Sequence, residues 1–573
     1  MKTLFAIVVG ICSAATLNAQ QFTDITSTAG LQSTNGGEGI AIGDYNNDGY
    51  DDFYVSFPDG KNQLYRNNGN GTFTEIGEEL SVALGNNIDT RASVWGDLNN
   101  DGWLDLYVGN RQDADQLFLN KSDGTFEEIS FEAGIYQQGH PKSVNLADVN
   151  NDGYLDIYIS NFTGENVLYL NNGDLPNGQA SLTFVNYTYA AGVLDTKKAM
   201  GTVFFDYDKD GDADLYLVHD GNEANILYQN DGSGIFTDVS EASGANTESF
   251  GMGVDVGDIN NDGWLDIYIT NLFKNILLLN NGDGTFSNIA DSVDVADFGM
   301  GWGISFLDFD NDGKEDIYIA NDYLFSPYPN VLYRNKGKLP GQSSVIFEKV
   351  EENLPISNQN KSYGAACLDL NNDGHIDILV ANKGENEGIQ LFQNADRENH
   401  WIKIKLNGTT SNRNAIGSKI EITDNLGNIH YQEVTAGQSW SSQNSLLLHF
   451  GLGAATEIVE MKVLWISGLE EIVTVSGLDK VYTITENQGI EEGKLAIAWQ
   501  NLTNQAVNFV NADTLMILQF MVSGNRGDAA VIKINDQIKK TMAITILTII
   551  IFNYLCFSRS NTSVKRPFEL LNV

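Results

Sequence analysis

The feature that most constrains this chain is a nine-residue motif that recurs seven times. Its pattern is Asp-x-Asn/Asp-x-Asp-Gly-x-x-Asp, and the copies begin at residues 44, 97, 148, 206, 258, 308 and 369. The starts lie 53, 51, 58, 52, 50 and 61 residues apart. A period of about fifty residues indicates a repeat architecture, in which one supersecondary unit is copied along the chain.

Each copy of the motif has the same neighbours in the sequence. A short apolar stretch with small residues precedes it, as at residues 39–43, and an alternating strand such as DFYVS follows. Next come a strand of the type N-x-L-Y-x-N, a Gly/Asn turn and a Phe-x-x-Ile/Val strand, as at residues 73–76. Four short strands per repeat predict an all-β fold, a seven-bladed β-propeller over residues 22–394.

The phase of the repeat predicts how the ring closes. A Phe-x-x-Ile strand also stands at residues 22–25, before the first motif. No such strand follows the seventh motif, where residues 389–394 end the pattern. We therefore expect residues 22–26 to complete the last blade, which removes the two sheet edges that an open solenoid would expose.

The motif supplies oxygen ligands of the kind that Ca²⁺ prefers. This ion takes about six to eight oxygens in a flexible geometry, and the glycine at position 6 permits a sharp backbone turn. Position 7 varies, as expected if its backbone carbonyl is a ligand. We predict up to seven Ca²⁺ ions, bound by the side chains at positions 1, 3, 5 and 9. These are Asp44, Asn46, Asp48 and Asp52; Asp97, Asn99, Asp101 and Asp105; Asp148, Asn150, Asp152 and Asp156; Asp206, Asp208, Asp210 and Asp214; Asp258, Asn260, Asp262 and Asp266; Asp308, Asp310, Asp312 and Asp316; and Asp369, Asn371, Asp373 and Asp377.

Other interpretations of these loops fit the pattern less well. Loops rich in Asp and Asn also form simple turns, but a turn needs no Asp at position 9 in every copy. Mg²⁺ prefers a rigid octahedron with retained water, and zinc would require a cluster of Cys and His. Because affinity follows ligand charge, the two loops with a fourth carboxylate, Asp208 and Asp310, are expected to bind more tightly than the other five.

The N-terminus and the cysteines indicate the compartment. Residues 1–19 are predicted to be a signal peptide, with a positive Lys2, a short apolar run and a cleavage site before Gln20. The mature chain keeps Cys367 and Cys556, which form no disulfide framework. We therefore expect a secreted or cell-surface protein that is stabilised by metal rather than by disulfides.

The charge excludes one class of partner. The formal net charge is −43 at pH 7, so the chain will not be held by the phosphates of nucleic acid. The 23 carboxylates of the predicted ligands account for more than half of that charge. Without metal, their mutual repulsion is expected to loosen the propeller.

Two parts of the chain resemble known families. The repeats resemble the FG-GAP or VCBS type and are similar to the calcium-binding propeller of integrin α subunits. Residues 399–486 resemble the ASPIC/UnbV domain, which follows such propellers in the cartilage acidic protein family. That resemblance lies in 412–418 (NRNAIGS), 437–444 (GQSWSSQN), 449–453 (HFGLG) and 463–468 (VLWISG). Ile466 departs from it, because the family usually shows Pro there. The resemblance implies an extracellular protein with matrix or cell-surface interactions and supplies no agreed activity.

The alternation of apolar and polar residues predicts that residues 399–486 form a small all-β domain. His449 in this domain is interpreted as a structural histidine, and Arg413 as a hydrogen-bond donor to the backbone of a loop. Residues 487–540 read as a partial β module or a linker. Residues 541–557 form an apolar run that, at 17 residues, is marginal as a membrane helix. It is either a C-terminal membrane anchor or the product of a truncated or frame-shifted gene end.

Two functions remain open at this point. The first is a binding or adhesion module for an extracellular protein or glycan, of unknown oligomeric state. Its contact surface would use the long connections at 174–182, 321–329 and 338–346. The alternative is a secreted, polysaccharide lyase-like carbohydrate-active enzyme, which needs a base and a charge-stabilising group in one cleft. The six histidines stand singly in the sequence and no catalytic residue is predicted.

Overall fold

The structure is a computed structural model of the chain. It describes residues 22–31, 36–85, 88–173, 182–323, 327–338, 344–350, 354–384, 388–394, 399–492, 517–518 and 532–533. The predicted signal peptide at 1–19, the apolar run at 541–557 and most of 487–540 lie outside the described residues. No helix in the described ranges is long and apolar enough to cross a membrane.

The chain divides into two compact units, Met1–Ala496 and Ile497–Val573. In the second unit the described residues are the strands Ile517–Leu518 and Ile532–Lys533, which pair antiparallel. All other described elements belong to the first unit.

Residues 22–394 form seven four-stranded antiparallel sheets, which we number 1 to 7 in the order of their motifs. Each motif connects the first strand of its sheet to the second. The first strands are Gly39–Gly43, Asp89–Gly96, Pro141–Ala147, Ala199–Phe205, Gly251–Gly257, Met300–Leu307 and Ser362–Leu368. The second strands are Asp52–Ser56, Asp105–Arg111, Asp156–Asn161, Asp214–His219, Asp266–Asn271, Asp316–Asp322 and Asp377–Asn382.

The outer two strands of each sheet follow in the same order. The third strands are Gln63–Asn67, Gln116–Asn120, Val167–Asn171, Ile226–Asn230, Ile276–Asn280, Val331–Lys338 and Ile389–Asn394. The fourth strands are Phe73–Glu75, Phe126–Glu128, Phe184–Asn186, Phe236–Asp238, Phe286–Asn288, Val345–Lys349 and, for sheet 7, Phe22–Asp24.

The seven sheets form a closed ring around their first strands. Each first strand contacts the first strand of the next sheet, and the contact between sheets 7 and 1 completes the circle. Phe22 pairs with Asn394 and Asp24 with Phe392, so the start of the chain supplies the last strand of sheet 7. The predicted closure and the predicted β-propeller fold are both confirmed.

The alternating second strands are buried on both faces, because each sheet packs between two others. In sheet 1, Phe53 and Val55 pack with residues of sheet 7 such as Leu379, whereas Tyr54 packs with Trp95 of sheet 2. The small residues of the first strands have a matching cause. A Cβ on Gly253 would lie 2.3 Å from the carbonyl oxygen of Trp302 in the neighbouring first strand. Glycine is therefore needed where the first strands approach one another.

A few short elements connect the sheets. Three one-turn helices span Ser130–Ala133, Thr188–Ala191 and Ser240–Ser243, and each ends at a glycine in the left-handed conformation. A 3₁₀ turn spans Pro355–Ser357, and strands Glu223–Ala224 and Glu248–Ser249 pair outside sheets 4 and 5.

Residues 399–492 form a second all-β part of this unit, which we call the C-terminal domain. It contains two four-stranded sheets. One has the order Leu448–Gly453, His400–Asn407, Lys480–Thr485 and Gly489–Glu492, with a parallel pair in the middle. The other has the order Ile429–Glu433, Lys419–Asp424, Ile458–Leu464 and Glu470–Val473.

A loop of the C-terminal domain, residues 436–445, extends into the ring, and we call it the tongue. The Gln443 N–H donates to the Ile40 carbonyl at 2.8 Å, and the Gln443 carbonyl accepts from the Ile42 N–H at 3.1 Å. The Ser439 N–H donates to the Val254 carbonyl at 2.7 Å, and the Ser439 carbonyl accepts from the Val254 N–H at 3.2 Å. The tongue thus pairs with the inner edges of first strands, which would otherwise be unpaired.

Side chains of the tongue also form hydrogen bonds with backbone groups at the inner edges of first strands. Gln443 Oε1 accepts from the Trp95 N–H at 2.7 Å, and Gln443 Nε2 donates to the Trp95 carbonyl at 3.1 Å. Ser439 Oγ accepts from the Ile304 N–H at 3.0 Å, and Asn444 Oδ1 from the Cys367 N–H at 2.9 Å. Together with a bond from the Leu146 N–H to the Ala436 carbonyl, the tongue reaches six of the seven sheets.

We predict that Gln443→Ala destabilises the chain, because it leaves both backbone groups of Trp95 buried without a partner. The free energy of unfolding should fall by about 2–3 kcal/mol, measured by urea denaturation in calcium-containing buffer. The exposed Gln488→Ala is the control and should change that free energy by less than about 0.5 kcal/mol. Equal denaturation midpoints for the two variants would contradict the role of the tongue.

Candidate metal-binding loops

Each motif folds into a tight loop around the carboxylate at position 1. In the first loop, Asp44 Oδ1 accepts from the Asp48 N–H and Asp44 Oδ2 from the Gly49 N–H, both at 3.0 Å. The same two bonds recur in the other six loops. Position 4 and the glycine at position 6 both have positive φ, for example 54° at Asn47 and 87° at Gly49. The left-handed turns bring the side chains of alternate residues to one side of the loop.

The carboxylate at position 9 connects the loop to its sheet. In sheet 2, Asp105 Oδ1 accepts from the N–H of Asn120 in the third strand at 2.9 Å, and Asp105 Oδ2 accepts from the Leu98 N–H at 3.0 Å. The bond to the third strand occurs in all seven sheets. One buried side chain therefore fixes three segments of the sheet.

One asparagine in each third strand, the final residue of the N-x-L-Y-x-N pattern, was not predicted as a site residue. Its Nδ2 donates to the position-2 carbonyl of the preceding loop, as from Asn120 to Tyr45 at 2.9 Å. The seven residues are Asn67, Asn120, Asn171, Asn230, Asn280, Asn335 and Asn394. The final asparagine of the N-x-L-Y-x-N pattern is the sequence signal that could have identified them.

A second ring of bonds connects neighbouring loops directly. The Nδ2 of Asn47 at position 4 donates to the carbonyl of Gly102 in the next loop at 2.8 Å. Equivalent bonds from position 4 to the next glycine occur at Asn100, Asn261, Asn311 and Asn372. In sheet 3 the Asn151 Nδ2 donates instead to Asp212 Oδ1 at 2.8 Å, and in sheet 4 position 4 is Lys209, whose Nζ lies 4.4 Å from the Trp264 ring centroid.

Carboxylates come close together in two of the loops. Oxygens of Asp206, Asp208, Asp210 and Asp214 in sheet 4 lie within 4.8 Å of one another, as do those of Asp308, Asp310 and Asp316 in sheet 6. These are the two loops with a fourth predicted carboxylate. In the other five, described residues do not form such a group of three acidic side chains. That these two loops bind metal more tightly stays a prediction.

Several predicted ligand oxygens are buried and have no hydrogen-bond partner among the described residues. They occur at position 3 in Asn150 Oδ1 and Asn260 Oδ1, at position 5 in Asp312 Oδ1 and at position 9 in Asp52 Oδ2. A buried acceptor without a partner costs about 1–3 kcal/mol. These four oxygens lie in four different loops, and each is a ligand of the kind that a hard cation such as Ca²⁺ prefers.

Burial of these carboxylates changes their acidity in the metal-free chain. Burial raises the pKa of Asp44, Asp148 and Asp258 to about 6 and the pKa of Asp97 to about 7. It also raises the pKa of the position-9 carboxyls well above their usual range. The charged form therefore needs a counter-charge that these loops do not supply.

The C-terminal domain supplies part of that counter-charge, because it lies on the loop face of the ring. Lys403 Nζ lies 3.0 Å from Asp369 Oδ2, and Lys419 Nζ lies 2.9 Å from Asp206 Oδ2. All four side chains are nearly fully buried. Two position-1 carboxylates are thus ion-paired with lysines that come from outside the propeller.

Arg413 and His449, the two residues of the C-terminal domain that were interpreted from the sequence, both have polar partners in the structure. Arg413 Nη1 donates to the Gly408 carbonyl at 3.2 Å, as predicted, and the Arg413 N–H donates to Asn100 Oδ1 at 2.9 Å. The buried His449 has Nε2 3.0 Å from the carbonyl oxygen of Gly374. Both residues therefore hold the domain against the loops.

The predicted contact surface at 321–329 is only partly described. Tyr328 Oη donates to Asp297 Oδ1 at 3.1 Å, and the Tyr323 ring lies 5.1 Å from Lys361 Nζ. Phe325 and most of the connections at 174–182 and 338–346 lie outside the described residues.

Two family descriptions match this chain. An FG-GAP-like repeat matches residues 44–108, 97–159, 148–217, 206–269 and 274–319. The ASPIC and UnbV family matches residues 408–491. These matches cover the motif loops of sheets 1 to 6 and most of the C-terminal domain.

Similar proteins were also found. Cartilage acidic protein 1 of Xenopus tropicalis is 26% identical over 192 residues, and that of Homo sapiens is 26% identical over 176 residues. The alignments cover 32% and 29% of this chain, and the chain spans 28% and 26% of the length of these two relatives. Among solved structures, an Agrocybe aegerita lectin that recognises non-reducing terminal N-acetylglucosamine has 21% identity and a TM-score of 0.38, over 58% of this chain and 83% of the lectin.

We predict that Asn47→Gly weakens the coupling between loops 1 and 2. Glycine tolerates the φ of 54° at this position, so the variant loses only the bond to Gly102. The thermal midpoint in calcium should fall by about 2–4 °C, because one hydrogen bond contributes about 1 kcal/mol. Asn222→Gly, an exposed left-handed asparagine outside the loops, is the control, and an equal fall in both variants would reject the coupling.

We predict that the metal-free chain is less stable at pH 8 than at pH 5. The folded chain holds protons on carboxyls whose pKa lies at about 6 to 7, while the unfolded values are about 4. The free energy of unfolding therefore falls as the pH rises from about 4 to about 7. Urea denaturation in excess chelator measures this slope, and a free energy of unfolding that rises over this range would contradict it. Saturating calcium should reduce the slope.

Proposed function

Because the chain joins FG-GAP-like repeats to an ASPIC and UnbV domain, we propose that it is an exported calcium-binding propeller that serves as an extracellular or cell-surface binding module. The observation that carries the calcium assignment is a buried, unpartnered oxygen at position 3, 5 or 9 in each of four loops. The similarity to cartilage acidic protein 1 supports an extracellular location.

The side chains at positions 1, 3, 5 and 9 of each loop would hold the ion, and Ca²⁺ would supply the positive charge that the buried carboxylates lack. The residues of the chain already orient these oxygens. Backbone N–H groups fix both oxygens of the position-1 carboxylate, and the third strand fixes Oδ1 at position 9. Such preorganisation favours a structural ion rather than one that is open to a substrate.

The position of the C-terminal domain supports a structural role for the metal. Lys403, Lys419, Arg413 and His449 lie against the loops from this domain, which leaves the opposite end of the ring as the accessible face for a ligand. An extracellular protein or glycan is the expected partner. The acidic chain is not expected to bind nucleic acid.

A second candidate function is a carbohydrate-active enzyme of the polysaccharide lyase kind. It requires cations and a base that converge in one place. Lys142, Arg91 and Tyr363 do converge near the buried Glu38 at the end of the ring opposite the loops. This convergence favours recognition of an acidic ligand, and the binding module is the function that the geometry supports best.

Calcium titration of the full chain tests the proposed function. We expect close to seven ions per chain and a thermal midpoint that falls by about 10 °C or more in excess chelator, because metal that binds only the folded state stabilises it. Asp101→Asn should reduce the number of ions by one, whereas Asp123→Asn, in an exposed turn outside the loops, should leave it unchanged. Binding of one or two ions, or no thermal shift, would overturn the proposal.

A further inference from the structure

We propose that the end of the ring opposite the metal loops binds the carboxylates of an acidic, uronate-containing oligosaccharide. The inference rests on the proposed function and deepens it, because it names the ligand class of the binding module. Each first strand runs towards its metal loop, so the starts of the first strands meet at the opposite end. We call this region, with the segments around it, the upper mouth.

Three cations surround one buried carboxylate in the upper mouth. Arg91 Nη1 lies 2.5 Å and Lys383 Nζ 3.8 Å from Glu38 Oε2, and Lys142 Nζ lies 3.9 Å from Glu38 Oε1. Glu38 is only 2% exposed. Burial raises its pKa, but Lys142, Arg91 and Lys383 together lower it below the usual value, so this carboxylate is ionised at neutral pH.

A fourth cation extends the cluster. Arg91 Nη2 donates to Asp89 Oδ2 at 2.8 Å, and Arg111 Nη1 lies 3.6 Å from the same oxygen. Four cations therefore face the carboxylates of Glu38 and Asp89. A local excess of positive charge stands out in a chain with a net charge of −43, and a bound anion would offset it.

Two more cations and one more carboxylate lie around the cluster. Asp322 Oδ2 accepts from Tyr363 Oη at 2.9 Å. Lys198 Nζ lies 5.8 Å from the Phe162 ring and Lys361 Nζ lies 5.1 Å from the Tyr323 ring. With Lys198, Lys361 and Asp322 included, these residues are six cations and three carboxylates.

Aromatic rings form the floor of the upper mouth. Trp302 stacks on Tyr363 with a centroid distance of 4.4 Å, and Trp440 of the tongue meets Trp302 edge-on at 4.5 Å. Lys383 Nζ lies 4.7 Å from the Tyr363 ring, and Lys142 Nζ lies 5.0 Å from the Trp440 ring. Cations and rings are therefore parts of one site.

Three ring nitrogens in the site have no hydrogen-bond partner among the described residues, and one of them, Nε1 of Trp440, belongs to a fully buried side chain. The other two are Nε1 of Trp302, which is 9% exposed, and Nε2 of His140, which lies against the Phe162 ring. A nine-tenths buried indole N–H without an acceptor is destabilising. Oxygen atoms of a ligand would satisfy it, and a saccharide carries hydroxyl and carboxylate oxygens together.

A saccharide fits this site better than an extended peptide. Peptides commonly bind by adding a strand to an open sheet edge. The inner edges at the described first strands of sheets 1, 3 and 5 are already paired with the tongue, through Ile40, Leu146 and Val254. A uronate chain needs no main-chain partner and offers carboxylates to the cations.

Calorimetric titration of the full chain with tetragalacturonate, in calcium-containing buffer, tests this proposal. We expect binding to the wild-type chain that weakens with added salt and no binding of neutral galactotetraose. Lys383→Gln and Arg111→Gln should each weaken the affinity by about fivefold to tenfold. Trp302→Phe keeps an aromatic ring, although a smaller one, removes the N–H and should weaken the affinity by about threefold to tenfold.

Lys61→Gln is the matched control. Lys61 is as exposed as Lys383, 39% against 38% for the side chains, and pairs with Glu78 rather than with Glu38 or Asp89. The proposal is wrong if tetragalacturonate does not bind, if Lys61→Gln and Lys383→Gln weaken binding equally, or if a tetraglutamate peptide binds as tightly. The calcium-dependent thermal shift is measured on the same samples, so its persistence would separate failure of this inference from failure of the proposed function.

Discussion

A buried carboxylate at the start of each second strand is the interaction on which the propeller depends. Through Asp105 and its equivalents, this group fixes the motif loop and the third strand in one place. The asparagine that it anchors then bonds to the preceding loop. Seven copies of this arrangement connect every sheet to its neighbour, so the stability of the ring is coupled to the electrostatics of its loops. A cation in the loops would stabilise the ring and not merely one turn.

The C-terminal domain supplies partners for unpaired charged and backbone groups on two surfaces of the propeller. Its lysines neutralise buried carboxylates on the loop face, and its tongue pairs with the inner edges of first strands in the ring. Open edges and unpaired charges are both destabilising when buried. Propeller and C-terminal domain therefore form one structural unit, and the tongue places Trp440 beneath the cations of the upper mouth.

Much of this fold could be predicted from the sequence, because its causes are local and repeated. The spacing of the motifs predicts the sheets, and the isolated strand at Phe22 predicts the closure. The motif also predicts which side chains line the loops. The cluster of Glu38, Arg91, Lys142 and Lys383 could not be predicted, because these residues belong to different sheets and meet only when the ring forms. The pairing of the tongue with the first strands could not be predicted from the sequence either. Most of its partners are backbone groups, and these leave no pattern in the side chains.

The pairing of Phe22 with Asn394 has a consequence for the order of folding. Contacts between residues so distant in the chain form late, because a long segment must first be brought together. During synthesis, sheets 1 to 6 can form before the strand that pairs with Phe22, Ile389–Asn394, has been made. The tongue emerges from the ribosome only after that strand. Ring closure and insertion of the tongue are therefore expected to follow the assembly of sheets 1 to 6, and a chain that stops short of the tongue leaves the inner edges of its first strands exposed to other nascent chains.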